Sequence, residues 1–266
     1  MKKNQYKNPV NKSLDSFINK KLFRRYQRLI KDNNFVYPSV SIITCTMRPN
    51  YIDNVFNNYI RQNYEKKELI IILNNNDMDI NLWKERASQY KNVKVFQLDE
   101  KTSLGECLNF GVRQSNNEII AKFDDDDYYG PKYLRESVKA FSYTNAGLIG
   151  KAASFVYFEK YKILAIRSPM LENRYVKHID GPTMLIRREV FDKVKFADIP
   201  RGVDTRFSKD CLKKGIKLYS IDRFHHVYVR HSSSSEHTWK VSNEKLLSRC
   251  KIVRRNITNF SKYVDV

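Results

Sequence analysis

Between Leu14 and Ile30 apolar residues recur every three or four positions (Leu14, Phe17, Ile18, Leu22, Tyr26, Leu29, Ile30), the period of an amphipathic helix. Lys20, Lys21, Arg24, Arg25, Arg28 and Lys31 fill much of the remainder. After Pro38 the pattern changes. Val40 to Thr46 (VSIITCT) reads as a buried strand ended by Arg48, Pro49 and Asn50, and Tyr51 to Gln62 reads as a helix. Leu69 to Leu73 (LIIIL) is apolar without alternation, as a strand covered on both faces requires, and it opens into the polar turn Asn74 to Asp77. A helix over about 80–90, a strand from Val93 to Leu98, a helix over about 104–114 and a strand from Glu118 to Phe123 follow. This alternation predicts right-handed βαβ units and a mostly parallel open sheet. The second half is less regular. It suggests strands near 147–150, 152–158, 162–167 and 183–187, a helix near 188–194, a helix from Thr205 to Lys214, and strands near 217–221 and 226–230. A Ser-rich loop over 231–237 then precedes a basic helix from about Trp239 to Arg255. The expected organisation is one α/β domain over 37–237 between helical extensions, 1–36 and 238–266.

Charge sharpens this division. The 266 residues carry 49 Lys and Arg against 29 Asp and Glu, a formal +20, of which residues 1–36 hold +8 and residues 238–266 hold +5. The basic N-terminal stripe best suits a helix packed on the main domain, as most such stripes are, with a helix drawn to an anionic membrane surface as the alternative. A polyanion or nucleic-acid binder is an alternative that +20 raises, but the charge sits in the ends and no recognised nucleic-acid module is present, so no nucleic-acid partner is expected. At 41% apolar and 13% aromatic residues the chain can build a core, which excludes disorder throughout. No run reaches the roughly 20 apolar residues of a membrane-spanning helix, and the N-terminus lacks the apolar core of a signal peptide, so a cytoplasmic protein is expected. Cys45, Cys107, Cys211 and Cys250 lie far apart without a C-x-x-C, which fits reduced thiols.

The strongest chemical signal is Asp124-Asp125-Asp126-Asp127, directly after a buried strand and before a turn and a helix. Four adjacent anions repel one another, a cost that either exposure to water or a hard divalent cation such as Mg²⁺ or Mn²⁺ relieves. In extended backbone Asp124 and Asp126 point one way and Asp125 and Asp127 the other. Ligands of open α/β sheets bind beyond the carboxyl ends of strands, where this run lies.

These features, taken together, resemble a family 2 glycosyltransferase with the GT-A fold over about Val40 to His237. The resemblance rests on the first strand and turn (VSIITCTMRP), the second strand (LIIILN), Gly105 to Gly111 leading to the Asp run, Gly181 to Phe191 (GPTMLIRREVF) on the acceptor side, and Gly202-Val203-Asp204 where the family has a Glu-Asp pair. It implies a Rossmann-like, mostly parallel sheet with helices on both faces, and a metal-dependent inverting transfer from a nucleotide sugar, a UDP-sugar, to a hydroxyl of a glycan, lipid-linked or protein acceptor. Cell-surface glycan or polysaccharide synthesis is the setting it suggests.

By that resemblance Asp124 faces the ribose, Asp125 completes the donor motif and Asp126 holds Mn²⁺ or Mg²⁺, with His231 joining the metal and His237 its competitor in the Ser-rich loop. Thr44, Thr46 and Arg48 resemble nucleotide contacts. Asn74 falls where the family often has an Asp facing the base, and an Asn can pair with the uracil edge. Lys101 and Asn109 resemble pocket-lining residues, although an exposed Lys and a helix-satisfied Asn are equally ordinary readings. Asp204 is the candidate base that deprotonates the acceptor, its alternative role being the N-cap of the helix Thr205 to Lys214. His178 and Asp180 either line the acceptor side or form a turn. A sugar-phosphate nucleotidyltransferase, which would share carboxylate-held Mg²⁺, fits less well because the turn after the first strand (TMRPN) lacks glycine.

Overall fold

A computed structural model describes residues 35–199, 201–232 and 241–266, together with Arg24 and Gln27. The stripe over Leu14 to Ile30 and His237 therefore lie outside the described residues.

The first half follows the expected alternation. Strand β1 (Val40–Thr46) leads through a 3-10 turn to helix α1 (Ile52–Arg61), then to β2 (Lys67–Leu73), α2 (Ile80–Ser88), β3 (Val93–Gln97), α3 (Leu104–Gln114) and β4 (Ile119–Lys122). Side chains supply the helix starts: Asp79 accepts from the Asn81 amide at 2.9 Å and Ser103 from the Glu106 amide at 3.2 Å, each satisfying an otherwise orphaned donor. Next come β5 (Tyr128–Tyr129), α4 (Tyr133–Val138), α5 (Ala140–Tyr143), β6 (Leu148–Gly150), β7 (Ser154–Phe158), β8 (Ile163–Arg167), β9 (Arg174–Val176) and β10 (Leu185–Arg187). The chain closes with α6 (Val203–Lys213), β11 (Leu218–Ser220), β12 (His226–Arg230), α7 (Asn243–Leu247), β13 (Cys250–Arg254) and α8 (Ser261–Val264).

Eight strands form the central sheet in the order β3-β2-β1-β4-β10-β6-β11-β9. The first four are mutually parallel, β10 runs antiparallel to both neighbours, β11 lies parallel to β6, and β9 closes the edge antiparallel. The pleat divides the core in two. Ile42, Ile71 and Ala121 face α1, α2 and α4 through Phe56, Trp83 and Leu134, while Ile43, Ile70, Ile72 and Ile120 face α3 and α6 through Leu108 and Phe207. Both faces of β2 are thus covered, which is why its sequence shows no alternation. Burying a side chain such as Phe56 contributes about 2 kcal/mol.

A second sheet, β13-β8-β7-β12-β5, stands beside the first. The expected basic helix from Trp239 to Arg255 is corrected here. Its described part forms the short α7, and Cys250–Arg254 pairs antiparallel with β8 as an edge strand. Lys251 and Arg254 are exposed, as charged residues on sheet edges usually are. Residues 257–266 then lie over this sheet. Ile257 and Val264 are buried against Phe155, Leu164 and Val227, and Tyr157 donates to the Ile257 carbonyl at 2.9 Å. The helix near 188–194 is 3-10 over Arg188–Asp192. Among the described residues no helix is long and apolar enough to cross a membrane.

Candidate active site

The carboxylate run lies where β4 leaves the sheet, opposite the carboxyl end of β1. Its two-residue alternation is visible in burial: Asp125 and Asp127 are 4% and 1% exposed, while Asp124 and Asp126 are more open. The two open carboxylates pair with different cations, Asp124 with Lys122 and Asp126 with Arg48. Arg48 also grips both oxygens of Asp125, its Nε donating at 3.0 Å, and its Nη1 reaches Asp126 at 3.0 Å. Thr46 Oγ1 donates to Asp125 at 2.5 Å and accepts from the Arg48 amide at 3.1 Å. Tyr51 lies 4.4 Å beneath the guanidinium. Burial pushes the Asp125 carboxyl up and Arg48 opposes it, while the paired carboxylates raise Arg48.

Asp127 serves the scaffold instead. Its Oδ1 accepts from the Val229 amide at 3.1 Å and its Oδ2 lies 3.2 Å from His226 Nε2, tying the run to β12. Burial drives both groups towards their neutral forms, raising Asp127 and lowering His226. Helix α1 holds the same run from the other side. Asn54 Nδ2 donates to the Asp125 and Asp127 carbonyls at 2.6 and 3.0 Å, and Asn58 Nδ2 to the Asp127 carbonyl at 2.9 Å. Tyr129 stacks on Phe123 at 3.7 Å, accepts from the Asp124 amide at 2.8 Å and donates to the Pro182 carbonyl at 2.7 Å.

Sequence reasoning missed these supports, although one signal was present. Asn54, Asn58 and Gln62 recur every four residues, an amide face on one helix. It also missed Lys122, which is inconspicuous as the only charge within a buried strand. Burial alone would lower the Lys122 amine, but Asp124 and, beyond it, Asp204 raise it.

The remaining candidates divide. Thr44 is buried in β1. Asn74, just after β2, donates from its backbone amide to the Thr46 carbonyl at 2.8 Å and through Nδ2 to the Asp99 carbonyl at 2.8 Å. The Lys101 amide donates to Asp99 Oδ1 at 2.8 Å, so Asn74, Asp99 and Lys101 share one loop corner. Asn109 is buried and has a structural role: it donates to the Phe196 carbonyl at 2.9 Å and accepts from the Phe196 amide at 3.0 Å, clamping that loop. For Asp204 the structure excludes the alternative role as N-cap. Helix α6 starts at Val203 after Gly202, whose φ of 71° suits glycine, so Asp204 sits in the first turn and does not cap it. Val203, where the family has Glu, is packed in the core. A Cβ on Gly181 would lie 3.1 Å from Asp204 Oδ2, so the acid abuts that glycine. Asp180, one residue earlier, pairs with Arg167, accepts from Ser154 Oγ at 2.6 Å and lies 3.9 Å from His178. His231 Nδ1 is 3.7 Å from Glu159 and its ring 5.7 Å from that of Tyr51, which places it beside the Arg48 end of the run. Among the described residues no three His, Cys, Asp or Glu side chains gather as a ready-made metal site.

Comparison with solved structures shows the same fold. A mannosyltransferase, PcManGT from Pyrobaculum calidifontis, in complex with GDP-Man and Mn²⁺, superposes with a TM-score of 0.58 at 16% identity over 81% of this chain and 66% of its own. S. aureus TarS 1-349 in complex with UDP-GlcNAc gives 0.53 at 16% identity, covering 75% and 61%. GalNAc-T7 with UDP, GalNAc and Mn²⁺ gives 0.60 at 12% identity, covering 73% and 44%. The chain thus spans less than two thirds of the length of each. No curated protein matches it closely. The family model described as glycosyl transferase family 2 matches residues 39–195, from the strand before the Arg48 turn to the segment after β10. That match takes in the carboxylate run, both of its cationic partners and more than half of the sequence, and the chain belongs to glycosyl transferase family 2.

Proposed function

We propose that the protein transfers a sugar, with inversion, from a UDP-sugar to an acceptor hydroxyl, the donor lying across the carboxyl ends of β1 and β4. The observation that carries this reading is the meeting of two kinds of carboxylate around one amine. Lys122 pairs with Asp124 of the run and is also raised by Asp204, which abuts Gly181 on the far side. The Lys122 amide also donates to the Met184 carbonyl at 2.9 Å, at the end of the turn whose Gly181 abuts Asp204, so the donor motif and the base that an in-line displacement needs meet at one turn.

In this mechanism Asp204 accepts the acceptor's hydroxyl proton as that oxygen forms its bond to the anomeric carbon. The bond from that carbon to the diphosphate breaks on the opposite face and its electrons leave with the nucleoside diphosphate. Lys122 pairs with Asp124 and holds it turned to the ribose. Asn74, whose Nδ2 is held by the Asp99 carbonyl, accepts from the base through its side-chain oxygen. Arg48 takes Asp126 Oδ2, and the other oxygen of this carboxylate is a hard donor of the type Mn²⁺ or Mg²⁺ prefers. His231, beside Tyr51, is the second protein group suited to that ion. The small number of protein ligands fits an ion shared with a diphosphate better than a protein cage. When bound, the ion neutralises the charge that develops on the leaving diphosphate.

The test is nucleoside diphosphate release from UDP-, GDP- and dTDP-sugars with Mn²⁺ or Mg²⁺, together with donor binding. Asp126→Ala is expected to abolish metal-dependent donor binding. Asp204→Asn is expected to retain donor binding and lose transfer by about 10²-fold or more. Transfer at the wild-type rate by the Asn variant would remove Asp204 from the chemistry, and a folded protein that binds no nucleotide sugar would overturn the reading.

A further inference from the structure

Beyond Asp180, away from the carboxylate run, the strap between β8 and Gly181 encloses a cleft of about 540 Å³. Its lining includes Arg167, Arg174, Lys177 and His178, with Asp180 the one acid, and Leu171 and Val176 add apolar surface. Arg167 and Asp180 pair with each other and Arg174 donates to the Met170 carbonyl at 3.1 Å, so beyond that ion pair the lining carries the positive charges of Arg174 and Lys177 with no second acid to offset them. Glu172, the strap's other acid, does not line the cleft but pairs with Arg223 at 3.1 Å and accepts from its amide at 2.7 Å. A second cleft of about 530 Å³ at the other end of the sheet shows the contrast, because there Glu189 and Asp192 offset Arg187, Lys193 and Lys217.

The cationic cleft is joined to the site by backbone. The Asp180 amide donates to the Lys151 carbonyl at 2.9 Å, and its carbonyl accepts from the Thr183 amide at 2.9 Å, fixing the 3-10 turn Gly181–Thr183 whose glycine abuts Asp204. Asp180, which lines the cleft, and Gly181, which abuts Asp204, are consecutive residues, so the cleft with its excess positive charge and the candidate base meet at one turn. Phosphate oxygens are the groups that guanidinium and ammonium donors recognise best.

We propose that this cleft binds a phosphate group carried by the acceptor, so that the acceptor is a phosphorylated, hydroxyl-bearing molecule. The proposal rests on the transferase reading for the word acceptor, but the anion site itself does not. The test is calorimetric titration of the full chain with inorganic phosphate and with glycerol 3-phosphate, glycerol serving as the neutral control and UDP as a monitor of the donor site. The wild-type protein binds both phosphates saturably and not glycerol. Lys177→Glu weakens phosphate binding by more than tenfold and Arg174→Gln by about tenfold, with UDP binding and the circular dichroism spectrum unchanged. Phosphate binding that is absent, or equal in wild type and both variants, overturns the proposal. Loss of UDP affinity in parallel with phosphate affinity also overturns it, because the phosphates then occupy the donor site. Charge-dependent phosphate binding without turnover of any nucleotide sugar supports the anion site and defeats the transferase reading, which keeps the two failures apart.

Discussion

Arg48 joins a buried and a half-open carboxylate through one guanidinium while lying on Tyr51. Its removal leaves Asp125, 4% exposed, with Thr46 as its remaining side-chain donor. Arg48→Ala is expected to cost about 2 to 3 kcal/mol in urea unfolding, and Arg48→Lys to recover less than half of that, because an ammonium cannot form the two-pronged grip. Lys151 gives a pH-dependent case. It is wholly buried, donates to the Asp222 carbonyl at 2.6 Å, and burial lowers its pKa to about 8 although Asp222 opposes the shift. Below pH 8 the folded and unfolded chains both hold the proton and the folded state bears a buried charge. From there to the ordinary lysine value of 10.5 the unfolded chain binds more protons, so stability rises with pH. Relative to Lys151→Met, the wild-type protein should gain up to about 3 kcal/mol across that window, measured by urea melts at pH 7, 9 and 10. A difference that stays flat would show that Lys151 does not titrate there.

At the scale of elements, α3 depends on two glycines in different ways. A Cβ on Gly105 would come within 1.9 Å of the Ala197 carbonyl oxygen, a backbone atom fixed by the Asn109 clamp one turn further along. A Cβ on Gly111 would meet the ends of Ile43 and Ile72, at 2.6 and 2.9 Å, and side chains can turn aside. Gly105→Ala is therefore expected to destabilise by about 2 kcal/mol or more and Gly111→Ala by less, despite the better helix propensity of alanine at both positions. Equal denaturation midpoints would contradict this. The same scale shows what the sequence disclosed. β1 and α3 have the ends that pattern predicts, and most other elements up to β4 differ by one or two residues, because strands buried on both faces and amphipathic helices write their periods plainly. Cys250–Arg254 failed because an edge strand carries charge on its open side, and Lys251 and Arg254 there resemble the polar face of a basic helix. The cap alternative for Asp204 fails because Gly202 starts the helix two residues earlier through a left-handed φ that no hydropathy pattern encodes. The carboxylate run was legible as a candidate from its position after a strand. Its partition into open and buried pairs depends on contacts with residues some 80 to 100 positions distant, which local pattern does not contain.

Across the whole molecule, the last residues brace the site from behind. Asp265 accepts from Tyr128 at 2.6 Å, Lys132 donates to the Val266 carbonyl at 2.8 Å, and the His225 amide donates to the Val264 carbonyl at 3.1 Å. These contacts fix both ends of the β5–β12 pairing that immediately follows the carboxylate run. A chain ending at Asn256 loses Ile257 and Val264 from the core and uncovers Tyr128 and Tyr157. It should be destabilised by about 3 kcal/mol or more, from the apolar burial alone, and should bind UDP more weakly even at temperatures where it remains folded. Donor affinity equal to that of the full chain would show that the brace serves stability only. The link from Asp127 to His226 and Val229 has a further consequence for biosynthesis. Those partners are translated about 100 residues after it, several seconds later at ordinary elongation rates. Until they emerge, a nascent chain that already contains the whole family-matched segment holds Asp127 without its His226 and Val229 partners, beside an unfinished sheet. Interrupted translation in that interval releases a polypeptide fit for proteolysis rather than a smaller working enzyme.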